Sequence, residues 1–355
     1  MGQKIRVMVV DDSVLFRSFL IQNLSNDPRF EVVGYAVNAL DAKNKLPLLK
    51  PDIMTLDIEM PGMSGLEFLK EVLPSHPVPV ILVSSLNVRV FDALAAGAVD
   101  FVRKPGTDQD GGKEAFLATL KTKLSIGSNA RVRLPSQTAV PLSRPAASPV
   151  MQNSAARPLP AMGAASGFHV DLIAIGASTG GTEAILEVVT KFPARMPGVV
   201  ITQHMPAGFT SMYAERMNRL CKMTAKEARH GDKVLPGQIL LAPGGLQMRV
   251  VRMGAGYSVS CTDEAKVSGH KPSVDVLFDS VAANVRNKAV GVILTGMGAD
   301  GAAGMLRMRK AGAYTIGQDK DTCVVYGMPM EAYKIGGVCQ QAALGSIAQV
   351  VMGHI

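Results

Sequence analysis

One stretch constrains the fold of this chain more than any other: residues 171–181, Asp-Leu-Ile-Ala-Ile-Gly-Ala-Ser-Thr-Gly-Gly. A short apolar run, 172–175, ends in small residues around one hydroxyl, that of Ser178. Apolar residues at helical spacing follow, from Thr182 through Ala184, Ile185, Val188 and Val189. The pattern predicts strand, tight turn, helix, and residues 176–180 fit G-x-S-x-G. Small residues let the backbone reverse sharply, so the Ser178 hydroxyl projects above the carboxyl end of the strand. The amides that follow, at a helix N-terminus, suit an anionic intermediate. The same turn also serves phosphates or dinucleotides, or simply turns, and the stretch alone leaves these readings open.

At 355 residues the chain is long enough for two domains. With 47% hydrophobic and 19% charged residues it can bury real cores, and with 5% aromatics and no tryptophan it lacks stacking platforms for single-stranded nucleic acid. A net charge of +8 raises the possibility of a nucleic-acid partner. The charge is uneven, however. No acid lies between Glu114 and Asp171, a span that carries Arg131, Arg133, Arg144 and Arg157. Much of the excess therefore falls in a tether, and no nucleic-acid partner is expected. Cys221, Cys261, Cys323 and Cys339 form no C-x-x-C pair. With no signal peptide and no apolar run near the roughly 20 residues of a membrane helix, a soluble cytoplasmic protein without membrane insertion is expected.

In residues 1–124, apolar runs at 5–10, 32–36, 53–56, 80–83 and 99–102 alternate with amphipathic stretches beginning near Ser13, Ala39, Gly65, Val88 and Lys113. This predicts a doubly wound (βα)5 domain with its site at the carboxyl ends of the strands. Asp11 and Asp12 end the first run, Asp57 the third and Ser84 the fourth, and Lys104 follows the fifth. Three crowded carboxylates repel one another, and a hard cation such as Mg²⁺ relieves them while retaining waters for a phosphoryl group. Lys104 and the Ser84 hydroxyl are placed to hold phosphoryl oxygens.

The motifs V-V-D-D-S, L-D-I-E-M-P-G-M-S-G, L-V-S-S and D-F-V-R-K-P resemble a response-regulator receiver domain over the whole segment. The resemblance implies that Asp57 accepts the phosphoryl group from a histidine kinase. It further implies that Asp11, Asp12, Asp57 and the Ile58 carbonyl bind Mg²⁺, that Ser84 and Lys104 read the phosphate, and that Phe101 is the switch aromatic. Ser84 departs from the commoner threonine but keeps the hydroxyl. Residues 125–168, rich in Pro, Ser and Ala, read as a flexible basic linker.

Residues 169–355 predict a second doubly wound parallel-sheet α/β domain with an antiparallel hairpin insertion at 233–260, where Pro-Gly and Gly-rich turns separate short apolar runs. Run 199–202 ends at Gln203-His204-Met205-Pro206, and run 289–295 ends in Gly-Met-Gly-Ala-Asp300. Ser178, His204 and Asp300 thus each lie just beyond the carboxyl end of an expected parallel strand, and such ends converge on one crevice. That placement suits nucleophile, base and orienting carboxylate. Each also has a plainer reading: His204 as a capping or core histidine, one of six with His76, His169, His230, His270 and His354, and Asp300 as a helix cap. The order Ser, His, Asp differs from that of α/β-hydrolases. The acid that a dinucleotide site needs about 20 residues on is replaced by Gln203 and His204.

Together, G-A-S-T-G-G-T, Q-H-M-P, L-A-P-G-G and T-G-M-G-A-D-G behind a receiver resemble the CheB family of chemotaxis methylesterases. The resemblance implies hydrolysis of glutamate γ-methyl esters on chemoreceptor cytoplasmic domains, and deamidation of receptor glutamines. Ser178 would be nucleophile, His204 base and Asp300 its orienter. The Met297 amide would donate to the oxyanion, beside Thr179 of the nucleophile motif. No cofactor is expected in this domain. The two-domain order suggests that the unphosphorylated receiver covers the Ser178 crevice. A receiver with a DNA-binding output, or a nucleotide-dependent oxidoreductase, are the competing readings.

Overall fold

The computed structural model describes residues 3–85, 89–105, 112–132 and 170–355. Residues 133–168 of the expected linker, and His169 at the start of the second expected domain, lie outside the described residues.

The N-terminal half alternates strand and helix: β1 (Ile5–Val10), α1 (Val14–Ser25), β2 (Phe30–Ala36), α2 (Ala39–Leu49), β3 (Ile53–Leu56), α3 (Gly65–Val72), β4 (Val80–Ser84), α4 (Arg89–Ala95), β5 (Asp100–Arg103) and α5 (Gly112–Gly127). The strands form one sheet of order β2-β1-β3-β4-β5, parallel throughout. Ser13, Asn38 and Ser64 cap their helices through side-chain oxygens, and Ser64 with Glu67 completes a capping box. Helix α5 runs three residues past the expected domain end, to Gly127. Beyond it the chain docks on the second half, where Arg131 N–H donates to the Val324 carbonyl at 3.1 Å.

The C-terminal half continues with β6 (Leu172–Ala177), α6 (Gly181–Val189), β7 (Gly198–Gln203), α7 (Phe209–Leu220), β8 (Thr224–Glu227) and β9 (Gln238–Leu241). Then come β10 (Gln247–Met253), β11 (Gly256–Thr262), α8 (Val274–Asn284), β12 (Ala289–Ile293) and α9 (Ala302–Lys310). The chain ends with β13 (Tyr314–Gln318), α10 (Met328–Lys334), β14 (Gln340–Ala342) and α11 (Leu344–Met352). Seven strands form one parallel sheet of order β14-β13-β12-β6-β7-β9-β8. Strands β6, β7 and β12 are buried along their whole length. Covered on both faces by helices, they read as unbroken apolar runs rather than alternating ones.

The hairpin insertion is narrower than the turn residues suggested. Among the described strands only β10 and β11 pair antiparallel, joined by an isolated antiparallel bridge from Lys233 to Ser258 of β11. The run at 238–241 instead pairs in parallel with β7 and β8. Its Pro236-Gly237 turn, with Gly237 at φ +76°, feeds a crossover strand rather than closing a hairpin.

Candidate active site

Strands β12, β6 and β7 are neighbours at the centre of the larger sheet, so their carboxyl ends meet. Ser178 follows β6, His204 follows β7, and Asp300 stands at the end of the loop after β12. Backbone bonds knit these ends together: Ser178 N–H to the Thr295 carbonyl at 3.0 Å, and His204 N–H to the Ala177 carbonyl at 3.2 Å. Gln203 Nε2 donates to the Ser178 carbonyl at 2.8 Å, and Thr295 Oγ1 donates to the Thr179 carbonyl at 3.0 Å. At Gly180 (φ +75°) the chain takes a left-handed conformation to enter α6. A Cβ there would lie 2.6 Å from that of Val324, so glycine is required twice over.

The three side chains form one hydrogen-bonded row. His204 Nδ1 lies 3.1 Å from Ser178 Oγ, and His204 Nε2 lies 2.7 Å from Asp300 Oδ2. The ring thus presents Nδ1 to the hydroxyl and Nε2 to the carboxylate, the reverse of the trypsin-like arrangement. Asp300 accepts three further bonds: from Ser273 Oγ (2.7 Å), Val274 N–H (2.7 Å) and Asp275 N–H (3.1 Å). These are the helix cap and first amides of α8, whose dipole also favours a negative charge. Burial raises the Asp300 carboxyl, but the bonds from His204, Ser273 and Val274 outweigh it and hold its pKa below the ordinary value. An ionised acceptor at Nε2 places the ring proton there and leaves the Nδ1 lone pair facing the serine.

A cleft of about 550 Å³ opens over Ser178, lined on one side by Thr179, His204, His270 and Met297. On the other side it is closed by the smaller domain, with Phe101 of β5 and Lys123 of α5 in its wall. The two domains touch beside the nucleophile: Thr179 Oγ1 donates to Asp100 Oδ2 at 2.6 Å. The Phe101 ring packs on Phe209 with centroids 4.5 Å apart, and Phe91 stacks on Tyr213 at 5.4 Å. None of these pairs is visible in the sequence, because each joins residues more than 70 positions apart and no local period marks them. His270, named in the sequence only as one of the six histidines, stacks on His204 with centroids 3.6 Å apart and planes 9° from parallel.

In the smaller domain, oxygens of Asp11, Asp12 and Asp57 lie within 4.8 Å of one another. Lys104 Nζ reaches Asp57 Oδ2 at 2.5 Å and Asp11 Oδ2 at 2.9 Å. One ammonium against three carboxylates leaves an excess of negative charge suited to a divalent, oxygen-ligated cation. Burial raises the Asp57 pKa against the opposing pull of Lys104. The Ile58 carbonyl already accepts from Gly65 N–H at 2.9 Å and keeps a second lone pair. The Ser84 hydroxyl is buried and has no hydrogen-bond partner among the described residues, as fits a group awaiting an incoming oxygen.

A profile for CheB methylesterase matches residues 173–351, and one for the response regulator receiver domain matches 7–114. The chain is 49% identical over 349 residues, covering 98% of it and 97% of the relative, to protein-glutamate methylesterase/protein-glutamine glutaminase 2 of Syntrophomonas wolfei subsp. wolfei. It is 49% identical over 354 residues to the protein-glutamate methylesterase/protein-glutamine glutaminase of Syntrophotalea carbinolica, covering 98% of the chain and 97% of the relative. The crystal structure of the Thermotoga maritima CheB methylesterase catalytic domain superposes with a TM-score of 0.51 at 31% identity, covering 52% of this chain and 99% of that one. A parallel-sheet domain with a serine–imidazole–carboxylate row, coupled to a receiver, therefore stands where a helix-turn-helix or dinucleotide output had been the alternative, and the chain belongs to the CheB methylesterase family of hydrolases.

Proposed function

We propose that this chain hydrolyses glutamate γ-methyl esters, and deamidates glutamines, on chemoreceptor cytoplasmic domains under control of its receiver. The observation that carries the reading is the Ser178–His204–Asp300 row at three adjacent strand ends. The names of the relatives supply the substrate class. In the first half-reaction the Ser178 proton passes to His204 Nδ1 as Oγ bonds to the γ-carbonyl carbon. Asp300 steadies the imidazolium. His204 then returns the proton to the departing methoxide or amide nitrogen, releasing methanol or ammonia and leaving an acyl-serine. Water repeats the sequence and frees the glutamate. The Met297 amide, with the N-terminus of α6, faces the developing oxyanion.

Regulation follows from the closed side of the cleft. In this reading Asp57 accepts a phosphoryl group from a chemotaxis histidine kinase. Asp11, Asp12, Asp57 and the Ile58 carbonyl would hold Mg²⁺, which would supply neutralising charge for the phosphoryl group. Ser84 and Lys104 then take phosphoryl oxygens. Lys104 leaves its bonds to Asp11 and Asp57, and the shift passes along β5 through Phe101 to the contacts on Phe209 and Thr179. An interface of this kind is weak enough to switch.

The test is methanol release from methylated receptor membranes, with and without a small phosphodonor. Release that rises with phosphodonor and disappears in Ser178→Ala supports both halves of the proposal. Release that survives Ser178→Ala removes the nucleophile, and release indifferent to phosphodonor removes the control.

A further inference from the structure

We propose that His270 is a positioning residue for acyl transfer, a flat plate that keeps the His204 ring turned with Nδ1 toward Ser178. The proposal rests on the reading of Ser178 and His204 given above.

The two in-plane bonds of His204, at Nδ1 and Nε2, define an axis about which the ring can tip without losing either partner's direction entirely. Tipping moves the Nδ1 lone pair off the Ser178 Oγ–H vector, and hydrogen bonds weaken steeply with angle. A second ring at 3.6 Å and 9° fills the face of His204 and blocks that motion. The plate itself is anchored. His270 and Val267 exchange backbone bonds in both directions, at 2.9 and 3.0 Å, across a turn with Ser268 at φ +53° and Gly269 at φ +83°.

One buried side chain ties this plate to the carboxylate on the other edge of the ring. Gln247, fully buried, donates from Nε2 to the His270 carbonyl at 3.1 Å and accepts at Oε1 from Ser273 N–H at 2.8 Å. Ser273 Oγ in turn donates to Asp300 Oδ1 at 2.7 Å. The loop that carries the plate and the cap that holds the carboxylate are therefore set in register.

The charge of His270 suits the role. Burial, and the neighbouring His204, push its pKa down to about 4, with Asp300 opposing and Lys123 and Lys266 adding to the effect. It stays neutral while His204 takes up the serine proton, and a cation above a neutral aromatic face is attracted to it.

The experiment uses the full chain with a small phosphodonor and methylated receptor membranes. His270→Ala is expected to lower kcat roughly 10- to 100-fold, as for a displaced catalytic group, with KM nearly unchanged. His270→Phe keeps a flat ring and restores most of that loss. The downfield ring N–H proton signal of His204 stays sharp in the Phe variant and broadens in the Ala variant. If the Ala variant unfolds below assay temperature, His270→Leu, of similar bulk without a flat face, takes its place against Phe. Full activity in the Ala or Leu variant, or equal impairment in Phe and Ala, overturns the proposal. Activity that persists in Ser178→Ala overturns the underlying nucleophile instead, so the two failures are distinguishable.

Discussion

Thr179, next to the serine, donates its hydroxyl to Asp100 of the receiver at 2.6 Å, and Lys123 holds the other Asp100 oxygen at 2.6 Å. Asp100 is only 8% exposed, so this bond joins the two domains in a largely dry place. Phe101, its neighbour in β5, packs on Phe209 with ring centroids 4.5 Å apart. The clamp and the aromatic that packs on Phe209 are thus consecutive residues.

Removing the clamp should open the cleft. A hydrogen bond to a charged group contributes about 1.5 kcal/mol or more, and roughly 1.4 kcal/mol is tenfold in an equilibrium. Asp100→Ala is expected to raise methanol release by the unphosphorylated chain about 3- to 10-fold, with a smaller further rise on phosphodonor. The fragment 170–355 should be at least as fast as that variant. An Asp100→Ala chain no faster than the parent would show that the contact does not restrain activity.

The stacked histidines carry a pH signature in stability. The unfolded chain binds a proton at His270 near 6.5, whereas the folded chain does so only near 4. Between those values protonation favours the unfolded state, so stability is complete above about 6.5 and declines as pH falls toward 4. The ring is partly exposed, so the loss is discounted to about 1–2 kcal/mol. His270→Phe is expected to flatten this decline in the unfolding transition of the larger domain between pH 7 and pH 4.5. An identical slope in both proteins would mean that other groups, not His270, set it.

The two sheets were legible because buried parallel strands must read as apolar runs, and because small residues mark the turns that follow them. Ser178 and His204 stand directly after such runs, and Asp300 after a glycine-rich one, so their convergence follows from topology alone. The pairing of β9 was not legible. Its flanking Pro-Gly turns are equally compatible with a hairpin, and only its seat beside β7 decides. His270 was hidden for another reason: its loop has no period, and what singles it out is contact with a ring 66 positions earlier in the chain. Asp100 and Phe209 likewise carry no local signal, since their partners belong to the other domain.

The Ser84 hydroxyl offers a separation of stability from signalling. Buried and without a partner among the described residues, it costs free energy in the resting receiver. Ser84→Ala is expected to leave stability unchanged or raise it by up to about 1 kcal/mol, while reducing the stimulation of methanol release by phosphodonor. Chelation of Mg²⁺ should abolish that stimulation in the parent chain and leave basal release intact. A Ser84→Ala chain fully stimulated by phosphodonor would free the hydroxyl of any role in reading the phosphate.

Gly296 tests how tightly the serine is held. A Cβ at this position would lie 2.7 Å from Ser178 Cβ, 3.0 Å from Ser178 N and 2.4 Å from Met328 Sδ. The backbone cannot retreat easily: Gly296 N–H donates to the Val325 carbonyl, and its own carbonyl accepts from Gly327 and Met328. The added methyl must therefore push on the buried Met328 and on the Ser178 turn. Displacement of a nucleophile by a fraction of an ångström is costly, so Gly296→Ala is expected to lower kcat about 10- to 100-fold with little change in KM. Gly345→Ala in α11 is the control. A Cβ there meets nothing within 4 Å and suits the helix, so activity should hold and stability rise by about 0.5–1 kcal/mol. Equal kcat in Gly296→Ala and the parent would show that the serine turn tolerates movement, and the geometry of the row would lose its claim to be tightly set.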